Sequence, residues 1–336
     1  MVIAIDCRSV FPGRGGIGRY AENLARRMPC MDERKNYVLL TTERQKEKIC
    51  SVGNVQNIPF FCGMIDATWE QLHLPAILEE YGIELYHNPC FALPVAKGKS
   101  KLVTTIHDVV FRERPDLVEP RLCAYLDRWT QVACKVADCV ITVSQYSKRQ
   151  LICYYGIESS KVEVVYNGIE KRFQRAHCSD QERVRNDYSL PQDFILYLGA
   201  TEPKKNLNRL LDAMRIVRGK YPQCPLVIAG GKGPLAYDLE NAIRVRGLEK
   251  SVIVIGYVDE KDVVAILSAA RVFVYPSLYE GFGFPPLEAM ACETPAIVSD
   301  ATALPEIVSD AALIVGSEDS EGLAGAIQRL LSNREE

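Results

Sequence analysis

Short apolar runs and longer amphipathic stretches alternate along the whole chain. In the first half the runs fall at 2–6, 37–41, 84–86, 102–106, 139–143 and 162–165, and residues 19–28, 67–81 and 120–137 between them carry apolar positions at helical spacing. Continuous apolar runs alternating with amphipathic helices predict a parallel sheet covered on both faces. From Asn167-Gly168 to about Asp193 the chain turns polar with no long apolar run, as expected of a linker. The alternation then restarts. Residues 194–200 and 226–231 read as strands, 207–217 and 235–246 as helices, and 252–258, 272–277, 295–299 and 312–315 as further strands. The expected fold is therefore α/β, with two Rossmann-like, doubly wound domains at 1–168 and 194–336 joined by 169–193. Ligands of such sheets bind beyond the carboxyl ends of the strands, so two facing domains are expected to hold them in an interdomain cleft.

Composition adds mainly exclusions. A chain of 336 residues with 48% hydrophobic and 25% charged residues has the size and balance of an ordinary two-domain globular protein. No apolar stretch reaches the roughly 18 residues that a membrane-spanning helix needs. The start, Met1 to Ser9, has no basic segment ahead of its apolar run, and Asp6 interrupts that run; it reads as a first strand rather than a secretion signal, so a cytoplasmic location is expected. Among the 12 cysteines the closest pair is Cys134 and Cys139, and Cys7, Cys139 and Cys292 sit inside apolar runs, as free thiols acting as small hydrophobes would. Net charge is -3. Residues 1–168 hold 21 Lys and Arg against 19 Asp and Glu, which leaves 19 against 24 for the remainder. The first half is thus slightly basic, which favours an anionic acceptor or peripheral contact with the inner face of a membrane, and no basic run suits nucleic acid.

Four segments carry candidate chemistry. Gly13, Gly15, Gly16 and Gly18 follow the first strand and open a helix, where glycines admit a pyrophosphate and a helix N-terminus offers free N–H groups. Gly13, Gly15 and Gly18 also satisfy G-x-G-x-x-G, but residues 7–12 intervene where the dinucleotide turn should be tight. His107 ends a buried strand, a place suited to contacting substrate hydroxyls or phosphate. Lys204 and Lys205 follow a strand and precede a helix; two cations there oppose the helix dipole, a cost that a bound diphosphate would offset. The strongest signal is 280–288: a strand ends in a glycine-rich turn holding Glu280, Gly281, Phe282 and Gly283, and Leu287 and Glu288 follow on a helix. Carboxylates beside free backbone N–H groups suit sugar and ribose hydroxyls. There is no D-x-D motif, and His73, His87, His107 and His177 are scattered, so no metal is expected.

These pieces together resemble the retaining GT-B glycosyltransferases of family 4. The resemblance runs from the first strand to about Leu331, carried by GGIGRY at 15–20, TIHD at 105–108, VSQYSK at 143–148, NGI at 167–169, GATEPKKN at 199–206 and EGFGFPPLE at 280–288. It implies a GT-B fold and a retaining, metal-independent transfer of a hexose from a nucleotide-diphosphate sugar to a saccharide or lipid-linked acceptor. GGIGRY together with EPKKN looks most like mannosyltransferases of surface-polysaccharide assembly, which favours GDP-mannose as co-substrate, with no other cofactor. It implies that Gly15, Gly16 and Gly18 approach the donor, that His107 contacts its sugar, and that Lys204 and Lys205 stabilise the leaving diphosphate. Lysine stands at 204 where the family usually has arginine, which keeps the charge and loses the bidentate fork. By the same resemblance Glu280 hydrogen-bonds the sugar with Gly281, Phe282 and Gly283 beside it, Glu288 holds the ribose hydroxyls, Leu287 belongs to the donor site, and Tyr257 and Val258 contact the base. Relatives continue past this C-terminus with helices that cross back to the first domain, and those are expected to be absent here. Two other readings compete: an NAD(P)-dependent oxidoreductase using Gly13, Gly15 and Gly18 with Glu43 near the end of the second strand, and a catalytically silent paralogue that binds nucleotide sugar.

Overall fold

A computed structural model of the chain describes residues 1–11, 15–43, 45, 48–60, 66–233, 235 and 237–333. It forms two compact units, Met1–Pro115 with Pro120–Asn167, and Asp116–Glu119 with Gly168–Glu336. The first unit holds strands β1 (Val2–Asp6), β2 (Asn36–Thr42), β3 (Val55–Phe60), β4 (Leu85–Asn88), β5 (Lys101–Ile106), β6 (Cys139–Thr142) and β7 (Val162–Val164). They build one parallel sheet of seven, ordered β3-β2-β1-β4-β5-β6-β7. Its helices are α1 (Gly16–Met31), α2 (Leu74–Glu80), α3 (Val110–Glu113), α4 (Pro120–Val136) and α5 (Gln145–Tyr155), with a π-helical turn at Trp69–His73 ahead of α2. Ile3 and Ile5 of β1, Leu39 of β2, and Ala21 and Ala25 of α1 share one core; the small residues of α1, four apart, let that helix lie close on the sheet.

In the second unit β8 (Ile195–Leu198), β9 (Leu226–Ala229), β10 (Val252–Gly256), β11 (Val272–Tyr275), β12 (Ala296–Ser299) and β13 (Leu313–Val315) form a parallel sheet of six, ordered β10-β9-β8-β11-β12-β13. Around it lie α6 (Cys178–Asp187), α7 (Leu207–Lys220), α8 (Leu239–Arg244), α9 (Glu260–Ala269), α10 (Phe284–Ala291), α11 (Leu304–Val308) and α12 (Ser320–Ser332). β8, β9, β11 and β12 are apolar and buried throughout or nearly so, as expected of strands covered on both faces. Leu207, Leu210, Leu211, Met214 and Val217 give α7 an apolar stripe at helical spacing that packs into the same core.

The structure corrects three expectations. The segment 169–193 is not a bare linker: it contains α6, and Phe173, Val184 and Leu190 are core residues of the second unit. Its polar sequence hides this because α6 buries only a narrow stripe against α9. β3 was not expected, since its sequence VQNIPF mixes polar residues with a proline. It is the outermost strand, and Pro59 can sit there without removing a hydrogen bond between strands of the sheet interior. The helix expected at 235–246 spans only Leu239–Arg244, started by the Asp238 carboxylate accepting from Asn241 N–H. Among the described residues no helix is long and apolar enough to cross a membrane, and the described cysteines are all free.

Candidate functional site

In the second sheet the strand order reverses between β8 and β11, and in open α/β sheets the loops leaving two such strands hold ligands at their carboxyl ends. Lys204 and Lys205 lie on the first of these loops, Glu280 on the second. The β8 loop begins at Gly199, against which the backbone of Gly230, leaving β9, is pressed: a Cβ on Gly230 would lie 2.0 Å from the Gly199 carbonyl oxygen, at a φ of 133°. A 3-10 turn, Pro203–Lys205, then carries the two lysines. Asn206, left-handed at φ 56°, enters α7 and donates its amide to the Pro276 and Ser317 carbonyls at 3.1 and 2.8 Å. Leu278 N–H donates to the Lys204 carbonyl at 2.8 Å, so the two loops are tied by backbone as well.

The lysines differ sharply. Lys205 is buried, its ammonium donating to Glu280 Oε1 at 2.6 Å and to Tyr275 Oη at 2.7 Å. Lys204 is half-buried, and its ammonium makes no hydrogen bond or ion pair among the described residues. Tyr275 Oη donates to Glu280 Oε1 at 3.0 Å and Ser277 Oγ does so at 2.6 Å. Thr302 Oγ1 brackets the Glu280 backbone, accepting from its N–H at 2.9 Å and donating to its carbonyl at 2.8 Å. Burial works to raise the Glu280 carboxyl, but the ammoniums of Lys205 and then Lys204 outweigh it and hold the group well below the usual carboxylate range. Burial likewise works against charge on Lys205, and Glu280 more than reverses that. The pair is therefore ionised at neutral pH.

Gly283, at φ 99°, turns the chain into α10; a Cβ there would come within 2.6 Å of Leu304 Cδ2. Pro285 and Pro286 occupy the first turn of α10, where a missing N–H costs nothing. Gly281, Phe282 and Gly283 are buried and Leu287 half-buried, while Glu288, one turn into α10, is 3% exposed. After β10, Tyr257 is 64% exposed and Val258 only 5%, so of the two expected base contacts Tyr257 alone presents a ring. The loops thus gather two ammoniums, an ionised carboxylate, a buried second carboxylate and a helix N-terminus at one end of one sheet. Such a set can hold a diphosphate by charge and sugar hydroxyls by acceptor oxygens.

In the first unit the sheet reverses between β1 and β4. α1 starts at Gly16, capped by the extended Gly15; both are exposed and Gly18 is buried. Gly13 lies outside the described residues. Residues 7–15 separate the end of β1 from α1, longer than a dinucleotide turn, and Glu43 is exposed just after β2. His107 follows β5. Its Nε2 lies 2.8 Å from the Pro89 carbonyl, which can only accept, so this nitrogen carries the proton and Nδ1 is left as an acceptor. Tyr20 of α1 packs edge-on against the imidazole at 4.9 Å. Burial keeps His107 below the ordinary histidine range, opposed by Pro89 and Asp108.

Sequence reasoning missed a buried network at the carboxyl end of β1. The Arg8 guanidinium, 2% exposed, pairs with Asp6 at 2.7 Å and with Glu70 at 3.0 Å, and lies 4.3 Å over the Trp69 ring. Tyr86 and Tyr125 donate to Asp6 and Glu70 at 2.8 and 3.1 Å. Asp6 and Arg8 stand two apart at the end of an apolar run, the one signal available; Glu70 is far away in sequence. Tyr275 and Ser277 were also missed, although both sit within five residues of Glu280.

Both halves of the chain are similar to known proteins. The Glycosyltransferase Family 4 model matches residues 14–173, and the model of glycosyl transferases group 1 matches residues 179–336. Among similar curated proteins, the O-antigen chain mannosyltransferase B of Escherichia coli is 30% identical over 261 residues, covering 76% of this chain and 67% of that one. The serotype-specific mannosyltransferase WbdA of Escherichia coli is 30% identical over 204 residues, 59% of this chain; this chain spans only 25% of its length. Among solved structures, Anabaena Alr3699/HepE in complex with UDP-glucose superposes with a TM-score of 0.78 at 20% identity, covering 100% of this chain and 91% of that one, a likeness of GT-B fold. With both halves matched and a mannosyltransferase relative 30% identical over 67% of its length, the chain belongs to the glycosyltransferases of group 1 and family 4.

Proposed function

We propose that this chain transfers a hexose, mannose first, from a nucleoside diphosphate sugar, GDP-mannose first, to a saccharide or lipid-linked saccharide acceptor, with retention at the anomeric carbon and without a metal ion. The observation that carries the reading is the meeting of Lys204, the Lys205–Glu280 pair and the N-terminus of α10 at the switch point of the second sheet. A departing diphosphate gains negative charge, and Lys204 with the α10 N-terminus supplies fixed positive potential for it. Ionised Glu280 can only accept hydrogen bonds, which suits sugar hydroxyls; Glu288 is assigned to the ribose and Tyr257 to the base. Gly15, Gly16, Gly18 and the neutral His107 are assigned to the donor on the resemblance alone.

In the proposed reaction the bond from C1 to the diphosphate oxygen breaks and the acceptor oxygen bonds to C1 on the same face. The acceptor's proton passes to a phosphate oxygen, and no protein carboxylate bonds to the sugar. The protein contributes position and charge. The names of the mannosyltransferase relatives support the choice of mannose, and the UDP-glucose complex of the fold neighbour supports a nucleotide-sugar donor. A cytoplasmic protein working in peripheral contact with the inner face of the membrane is part of the same proposal. A thermal-shift screen of GDP-, UDP- and ADP-sugars tests it. At a hundred times its dissociation constant the true donor stabilises the fold by about 2.7 kcal/mol. Transfer from that donor should survive EDTA and give the retained anomer by NMR. Tight binding of NADH with no response to any nucleoside diphosphate would overturn the assignment.

A further inference from the structure

We infer that Tyr275 and Ser277 are positioning residues for Glu280, saturating one carboxylate oxygen so that the other is presented to the ligand. The inference deepens the proposed function and rests on Glu280 accepting from the donor sugar. Three donors converge on Oε1: Lys205 Nζ at 2.6 Å, Ser277 Oγ at 2.6 Å and Tyr275 Oη at 3.0 Å. Among the described residues no donor reaches Oε2. An unrestrained carboxylate exchanges its oxygens by rotation; three donors on one side remove that symmetry and fix where the acceptor lone pairs of Oε2 point.

Each hydroxyl proton is committed by its surroundings. Tyr275 Oη receives an N–H from Lys205 at 2.7 Å, so its own hydrogen is directed to Glu280. The ring cannot swing away, because it stacks on Tyr197 at 6.2 Å and on Phe273 at 6.1 Å. Ser277 has one hydrogen and three acceptors in reach, the carbonyls of Lys204 and Tyr279 at 3.1 and 3.4 Å and Glu280 Oε1 at 2.6 Å. The charged and shortest of these takes it. Ser299 Oγ in turn donates to the Ser277 carbonyl and holds the serine at the end of β11. Lys204, Lys205, Tyr197 and Tyr275 are the charged and titratable groups that act on the carboxylate, and Glu202 and Glu288 act on its donor Tyr275.

The test deletes one hydroxyl at a time. Ser277→Ala and Tyr275→Phe should each lower kcat/KM for the donor about tenfold and move the acid limb of its pH profile up by about one unit, since a lost donor favours the protonated acid. Ser277→Thr, which keeps the hydroxyl, should restore both. Tyr197→Phe removes an equally buried phenol hydroxyl that donates to the Ala200 carbonyl instead, and should leave the limb in place. Titration of the Glu280 side-chain carbon by NMR in the unliganded protein reads the same shift without turnover. Acid limbs and NMR titrations in Ser277→Ala and Tyr275→Phe that coincide with the parent would overturn the inference. A parent inert toward every nucleotide sugar, with the NMR shift still seen, would instead refute the transfer reading and leave the clamp standing.

Discussion

Replacing Lys205 with Met keeps most of the side chain's length and removes its charge. The Glu280 carboxylate, 12% exposed, would retain the Ser277 and Tyr275 hydroxyls but lose its ion-pair partner. Two routes give the magnitude. Breaking a buried ion pair by removing one partner costs about 3–5 kcal/mol. Independently, Glu280 is held from the reference 4.5 down to about 2, and at about 1.36 kcal/mol per unit that corresponds to roughly 3 kcal/mol. The attraction that raises Lys205 is the same one and counts once. The surviving hydroxyls and Lys204 favour the lower end, so the expected loss at pH 7 is about 3 kcal/mol. Its pH dependence has a definite sign. A carboxyl depressed in the folded state contributes fully above its unfolded value, near 4.3, and that contribution is lost as pH falls through the folded value. The difference between parent and Lys205→Met should therefore shrink below about 1 kcal/mol as pH approaches 2. Adding Glu280→Gln should recover part of the pH 7 loss, because no buried charge is then left alone. Hydrogen exchange of the buried β8 and β11 amides at pH 7 and near pH 2 measures all of this locally. Equal protection in parent and Lys205→Met at pH 7, or a double variant as unstable as the single, would refute the reasoning.

Lys204→Ala should leave unfolding by urea within about 0.5 kcal/mol of the parent, since its half-buried ammonium makes no hydrogen bond or ion pair among the described residues and Glu280 keeps Lys205, while turnover falls at least about tenfold; unchanged turnover would remove it from the diphosphate. Gly230→Ala should unfold or fail to accumulate, because its Cβ would lie 2.0 Å from a backbone oxygen at a φ only glycine adopts freely, whereas Gly15→Ala, with nothing within 4 Å of its Cβ, should melt within a few degrees of the parent. His87 should titrate by NMR near 4, because burial and then His107 disfavour its charged form. The unfolded chain takes up that proton near 6.5, so this histidine costs stability as pH falls from 6.5 to about 4. A midpoint above 6 would contradict the buried ring that accounts for it.

The fold was legible wherever burial on both faces makes a strand wholly apolar. β1, β8, β9, β11 and β12 fall where the apolar runs fall, and the count of sheets followed from them. What escaped was structure whose burial is one-sided or whose stabilisation is remote. β3 is an edge strand with partners on one side only, so its sequence could keep Asn57 and Pro59. α6 buries Gln181 and Val184 and little else, so it reads as polar linker although its Arg183 pairs with the buried Asp262 of α9 across a long sequence gap. A pattern read locally registers apolar periodicity; it does not register a short helix anchored by one ion pair.

The site divides along the same line. Glycines, lysines and acids that cluster within eight or nine residues on a loop after a strand could be singled out, because the parallel sheet itself sends such loops to one end. The division of labour between Lys204 and Lys205 could not, since it depends on which lysine the Tyr275 and Ser277 hydroxyls and Glu280 meet. In the 3-10 turn the two side chains diverge, and one turns inward to pair with an acid whose charge burial disfavours. The inward lysine thereby keeps Glu280 an acceptor at neutral pH, and the outward one keeps its charge available. Two adjacent lysines of the same type thus acquire different chemistry from a turn of backbone. An arginine in place of Lys205 would have to fit a planar fork into the space where a single ammonium now bridges Tyr275 and Glu280, whereas Lys204 faces no such constraint.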